Sequence, residues 1–201
     1  MTRPLLVCDC DEVLLHFAAP FARYLGDHHG IELRFDSFAL AGNARHRETG
    51  LTVERAEISE LIQKFFDEAM HAQPAVDGAA DALQALSQHF DIVILTNIRD
   101  DLAARRSAQI TALGMPYPVV TNSGPKGPAV ASLFAGRRQH GVFIDDLPPH
   151  HASVRQSVPD IKQLHMVADA GLRRLIPAAE HADRRIDIWS EALPWLIEMS
   201  K

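Results

Sequence analysis

Apolar positions along the chain fall into two arrangements, short unbroken runs and longer stretches with a helical period. The runs at residues 5–9, at DIVILT (91–96), at PVVT (118–121), at GVFID (141–145) and at residues 161–167 read as strands. Helical patterns lie between them, at about residues 77–88 with Asp77 as N-cap, at 99–113, at about 128–134, and from the fourth run through about Gln156. Short apolar runs alternating with helices predict βαβ units and a parallel sheet. After Asp169, residues 184–189 read as a short strand or extended segment and 191–199 as a closing helix. Trp189 and Trp195 are expected to pack against the sheet.

One interval breaks the rhythm. Between the first two strands lie about eighty residues, far more than a crossover needs. Its pattern predicts a helix at about 17–28, an irregular piece at 36–50, and a stronger helix at about 53–70. Along the last, Ile58, Leu61, Ile62, Phe65, Phe66 and Ala69 form one apolar stripe, the expected core of an insertion spanning residues 16–74.

A parallel sheet binds ligands beyond the carboxyl ends of its strands, so the last residue of each run matters most. The first run ends in Asp9, with Asp11 two residues on, and charge there is expensive unless something pairs with it. The second ends in Thr96, followed by Asn97, and the fourth in Asp145-Asp146. Lys126 precedes a helix within SGPKGP. Each feature alone is an ordinary turn or cap. Converging carboxylates repel one another, and a hard cation with oxygen ligands, such as Mg²⁺, relieves the repulsion. Lys126 adds a positive charge and Thr96 a hydroxyl donor, so the ligand expected beside the cation is a phosphate. One aspartate can then attack phosphorus, and a second carboxyl can move the proton.

The order D-x-D, strand–Thr, Lys, strand–Asp-Asp resembles that of the haloacid dehalogenase (HAD) superfamily, over about residues 4–150. The resemblance implies a Rossmann-like α/β parallel sheet flanked by helices, with a small α-helical cap inserted after the first strand. Residues 1–15 and 75–201 would form the core and 16–74 the cap. It also implies Asp9 as nucleophile, Asp11 as general acid/base, and Thr96, Asn97 and Lys126 as phosphate-binding residues. Mg²⁺ would be held by Asp9, Asp145, Asp146 and the backbone carbonyl of Asp11. The implied activity is a Mg²⁺-dependent phosphatase acting on a small phosphate ester. An acid at position 11 marks the phosphatase and phosphomutase form of the motif, because a halide leaves without a proton. After D-x-D the superfamily often has glycine, then threonine or valine; here Glu12 departs from the glycine and is followed by Val13. The opening DCDEVLLHF is similar to the DMDGVLADF type of the superfamily's deoxyribonucleotidases, too short a match to carry a nucleotide substrate. Alternatives are a phosphomutase or nucleotidase, a ligand-binding relative without turnover, or a phospho-acceptor like a response-regulator receiver. Receivers place their acidic pair first in the chain and have no insertion.

Composition narrows this picture without changing it. The chain of 201 residues is 47% hydrophobic and 23% charged, with a formal charge of -6, which suggests neither a nucleic-acid nor an acidic-membrane surface. No segment reaches the roughly 20 apolar residues of a membrane span, and the N-terminus does not read as a signal peptide. Cys8 and Cys10 are expected as buried thiols in a reducing cytoplasm. His150 and His151 are adjacent, so they cannot share a helix face as metal ligands, and are expected to be solvated or to support the carboxylates. Arg45 and Arg47 are expected in a solvated loop.

Overall fold

In the computed structural model, residues 3–35, 42–136 and 140–201 are described. Strand β1 (Leu5–Cys8) is paired in parallel with β4 (Asp91–Thr96) on one side and β6 (Gly141–Asp145) on the other. Beyond them lie β5 (Val119–Thr121), β7 (Lys162–His165) and β8 (Arg184–Arg185), giving the order β5-β4-β1-β6-β7-β8. The two halves of the sheet grow outward in opposite directions from β1. Such a switch opens a crevice at the strand's carboxyl end.

The unbroken apolar runs follow from burial on both faces. Leu6 and Cys8 share one core with Ile92, Ile94, Val142 and Ile144, covered by α3 (Ala79–Leu86) and α7 (Trp189–Glu198). Leu5 and Val7 share the opposite core with Leu95 and Phe143, covered by α5 (Gly127–Leu133) and α6 (Pro148–Ser157). Helices α5 and α6 approach closely at Gly127, where a Cβ would collide with the Ser153 carbonyl. Helix α4 (Ala103–Ala112) follows β4 after a 3₁₀ turn (Asp100–Leu102).

Residues 16–74 form α1 (Ala18–His29), β2 (Ile31–Leu33), β3 (Ala44–His46) and α2 (Arg55–Glu68), closed by a 3₁₀ turn at Met70–Ala72. Phe21, Leu25, Ile58, Leu61, Phe65 and Phe66 build their shared core, joined by Ile98 and Leu102 from beyond β4. The segment leaves and returns at one point, where the His16 N–H donates to the Pro74 carbonyl at 3.0 Å.

Three expectations are corrected. The segment is not purely helical, since β2 and β3 pair antiparallel; strands of three residues are too short to register as a period. Of the irregular piece, residues 36–41 lie outside the described residues. Asp77 is not the N-cap of α3, because Gly78 in the left-handed region (φ 77°) starts the helix one residue later. Trp189 opens α7 instead of ending a strand, and its buried indole N–H donates to the Val13 carbonyl at 2.9 Å.

Candidate active site

The sheet ladder runs one bond beyond β1, as the Asp9 N–H donates to the Ile144 carbonyl at 2.9 Å. This fixes the Asp9 carboxylate, 6% exposed, between β4 and β6. Lys126 reaches it from the start of α5. Its ammonium lies 2.5 Å from Asp9 Oδ1 and 2.7 Å from Asp145 Oδ2 and is itself buried. Asp145 also accepts the Leu147 N–H at 2.8 Å. Oxygens of Asp9, Asp145 and Asp146 come within 4.8 Å of one another. Among the described residues no ion pair reaches the Asp146 carboxylate.

The electrostatics follow from that crowding. Burial pushes the Asp9 carboxyl up to about 7, with Lys126 opposing and Asp145 and Asp11 adding to the rise. Burial also drives Asp146 well above the carboxylate range, reinforced by the charges of Asp145 and Asp9. For Asp145, burial raises the carboxyl, but Lys126 outweighs it and holds the group low. Lys126 is held above its usual range because Asp145 and Asp9 outweigh its burial. One ammonium therefore serves two of three carboxylates, and the oxygen-only donor set suits a hard divalent cation.

Two buried histidines support the pair behind this cluster. The Gln163 amide nitrogen donates to His151 Nδ1 at 2.9 Å, so Nε2 carries the proton and donates to the Asp145 carbonyl at 3.0 Å. The Ala179 N–H donates to His165 Nδ1 at 3.1 Å, so His165 Nε2 donates to the Asp146 carbonyl at 2.8 Å. Burial pushes His165 down to about 4, which keeps it neutral in this role. His150 instead lies on the cavity side, with Nε2 3.5 Å from Asn97 Nδ2. Adjacent positions on α6 thus face different surroundings, as their spacing requires.

Asp11 stands apart from the three clustered carboxylates. Its Oδ1 accepts from Gln73 Nε2 at 2.6 Å and from Arg106 Nη2 at 3.3 Å, and its Oδ2 from the Thr96 hydroxyl at 3.4 Å. Gln73 also donates to the His16 carbonyl at 3.2 Å, which ties Asp11 to both connections of the 16–74 segment. The Arg106 guanidinium is fully buried, 5.4 Å from the Phe66 ring centroid. Thr96 is buried with its hydroxyl on Asp11, whereas Asn97 lines the cavity and its amide nitrogen donates to the Gly124 carbonyl at 3.0 Å.

Glu12 is the one non-glycine residue with positive φ (59°) among the described residues, and it is buried. Its Oε1 accepts the Phe17 and Ala18 N–H groups at 2.8 and 2.6 Å, capping α1 from outside the helix. Its Oε2 accepts the Asp169 N–H at 3.1 Å. The residue that departs from glycine is therefore a strut joining α1 to the loop after β7.

Over these groups lies a cavity of about 270 Å³. Asp9, Asp11, Asp146 and Lys126 line its floor. Phe17, Ile62 and Phe66 form one wall, and Leu172 and Ile176 the other. Arg45 and Arg47 are off the cavity, with Arg45 donating to the Gly50 carbonyl at 3.2 Å. Cys8 and Cys10 are free and buried, and burial pushes the Cys10 thiol up to about 12. Sequence reasoning missed Arg106, Gln73 and His165. A signal existed for Arg106 alone, a charge at helical spacing from Leu102, Ile110 and Leu113, apolar positions that pack inward at and around α4.

No protein-family model matches the chain, and no curated protein matches it in sequence. Its fold is that of solved HAD-type structures. One is a predicted phosphoglycolate phosphatase of Haemophilus somnus 129pt (13% identity, TM-score 0.69, covering 97% of this chain and 98% of that one). Another is the predicted HAD hydrolase YfnB of Bacillus subtilis, bound to magnesium (18% identity, TM-score 0.67, covering 98% and 99%). A third is a haloacid dehalogenase-like family hydrolase, SP0104 of Streptococcus pneumoniae (15% identity, TM-score 0.64, covering 96% and 98%).

Proposed function

We propose that this chain is a HAD-type phosphomonoester hydrolase that works through an aspartyl-phosphate and needs Mg²⁺. The observation that carries the reading is the crowding of Asp9, Asp145 and Asp146 about Lys126 at the switch point of the sheet, with Asp11 alongside. A surplus of buried carboxylate over cation is costly, and a divalent ion would offset it. The fold shared with a magnesium-bound hydrolase and a predicted phosphoglycolate phosphatase supports the same reading.

In the reaction, Asp9 attacks phosphorus and the ester oxygen leaves with a proton from Asp11. Asp11 then takes a proton from water as it attacks the aspartyl-phosphate, which frees inorganic phosphate and restores Asp9. Lys126 neutralises non-bridging oxygens in both steps, and Asn97 offers a polar contact at the cavity. Thr96 acts by orienting Asp11. Asp9, Asp145, Asp146 and the Asp11 carbonyl would hold Mg²⁺, which supplies electrostatic stabilisation of the phosphoryl group. Residues 16–74 serve as the cap that covers the reaction from bulk water.

The test is hydrolysis of p-nitrophenyl phosphate by purified protein with Mg²⁺ or EDTA, beside Asp9→Asn. Turnover should require the metal and fall at least about 10³-fold in the variant, the scale of losing a nucleophile. A folded protein that turns over no ester yet takes up label from acetyl phosphate at Asp9 would instead be a phospho-acceptor.

A further inference from the structure

The cavity walls carry information about the alcohol half of the substrate. Phe17, Ile62 and Phe66 on one side and Leu172 and Ile176 on the other offer no polar side-chain atom. Lys126, the single lysine lining the cavity among the described residues, is committed to Asp9 and Asp145. Arg106 is fully buried against Asp11, while Arg45 and Arg47 lie elsewhere. Above the floor, the polar side chains among the described residues are Glu12, whose carboxylate is taken up by the Phe17, Ala18 and Asp169 N–H groups, and the neighbouring Asn97 and His150 beside the ends of β4 and β6. Glu12 fixes both walls at once, because its two oxygens hold the start of α1 and the loop that leads to Leu172. The apolar slot is therefore built into the resting fold.

We infer that the natural substrate is a phosphate monoester of a small, apolar, uncharged alcohol, bound with its organic group between Phe17, Ile62 and Phe66 and the Leu172–Ile176 wall. This deepens the phosphatase reading and rests on it. A second anionic group, such as the carboxylate of phosphoglycolate, would be stripped of water between these walls with no cation among the described lining residues free to meet it. A polyhydroxylated sugar would lose hydrogen bonds to water without replacement. The volume of about 270 Å³ lies at the small end of ligand pockets, which run to roughly 1,000 Å³, and disfavours a nucleotide.

Benzyl phosphate, glycerol 3-phosphate and phosphoglycolate have alcohol leaving groups of similar basicity, so their kcat/KM values with Mg²⁺ report the walls. Benzyl phosphate should exceed each of the others by at least about tenfold. Ile62→Arg, a half-buried position on α2 outside the reaction machinery, should narrow or invert the ratio against phosphoglycolate. Calorimetry with benzylphosphonate and phosphonoacetate, neither of which can be hydrolysed, reads the walls without turnover. Tighter binding of benzylphosphonate supports the inference even if no ester is cleaved, an outcome that would sink the catalytic reading alone. Equal affinities, preference for phosphonoacetate, or no binding of either analogue would overturn the apolar-substrate inference. So would equal turnover of all three esters, with the phosphatase reading intact.

Discussion

Glu12 shows how one side chain can offset an unfavourable backbone. A non-glycine residue in the left-handed region costs about 1–2 kcal/mol. Three N–H groups on a buried carboxylate return more than that, since bonds to a charged acceptor contribute about 1.5–3 kcal/mol each. Two substitutions separate the terms. Glu12→Ala keeps the strain and loses the bonds, so it should lower stability by about 3 kcal/mol or more. Glu12→Gly loses the same bonds but releases the strain, and should be less damaging by about 1 kcal/mol. Urea denaturation of both variants checks the order, and Glu12→Ala proving the more stable would refute it. Arg106 uses its charge differently. Its planar fork holds Asp11 between Gln73 and Thr96, and its face covers Phe66, so one buried cation links the proposed acid to the wall of the cavity.

Between elements, the weakest pairing of the sheet is its β8 edge, two residues long, and a side-chain clamp compensates for it. The Asp183 carboxylate accepts the Gln163 N–H of β7 at 2.9 Å, Arg155 of α6 at 2.8 Å and Lys162 at 3.3 Å. Burial works against the charged form, yet the Gln163 N–H and Arg155 hold the carboxyl below its usual range. A depressed carboxyl lends stability above its unfolded value and loses it as pH falls through the folded one. Asp183→Asn should therefore cost about 1 kcal/mol near neutrality, after allowing for solvent screening. The gap to the parent should close as pH drops below about 4, followed by denaturation midpoints across pH. A constant gap would mean that shape, not charge, makes the clamp. The same edge shows what a linear reading can reach. Strands β1, β4 and β6 were legible because both faces are buried and their runs are unbroken, and the strand-end rule then picked out Asp9, Thr96 and Asp145. β2 and β3 were not, because three residues of a half-exposed pair leave no period. Gln73 and His165 were invisible for another reason, as their roles come from contacts made across the chain.

The molecule as a whole pays for its site in stability. Asp146 is buried beside two carboxylates, and the nearby ammonium is taken by the other two. His151 and His165 fix the Asp145 and Asp146 backbone, so the carboxylates cannot relax away from one another. Such frustration persists where surrounding structure over-determines it, and a ligand that relieves it stabilises the fold by mass action. At a hundredfold excess over its dissociation constant, Mg²⁺ should add about 2.7 kcal/mol. For a chain of this length that raises the thermal midpoint by about 5–10 °C. Asp146→Asn should raise the metal-free midpoint, because it removes a carboxyl whose ionisation burial and two neighbouring carboxylates oppose in the folded state, and should abolish most of the Mg²⁺ response. Differential scanning of the two proteins with and without Mg²⁺ separates this from a merely structural role. If Asp146→Asn lowered the metal-free midpoint, the carboxylate would be stabilising the fold by bonds of its own. The crowding at the end of β1 would then be no reason to expect a metal there.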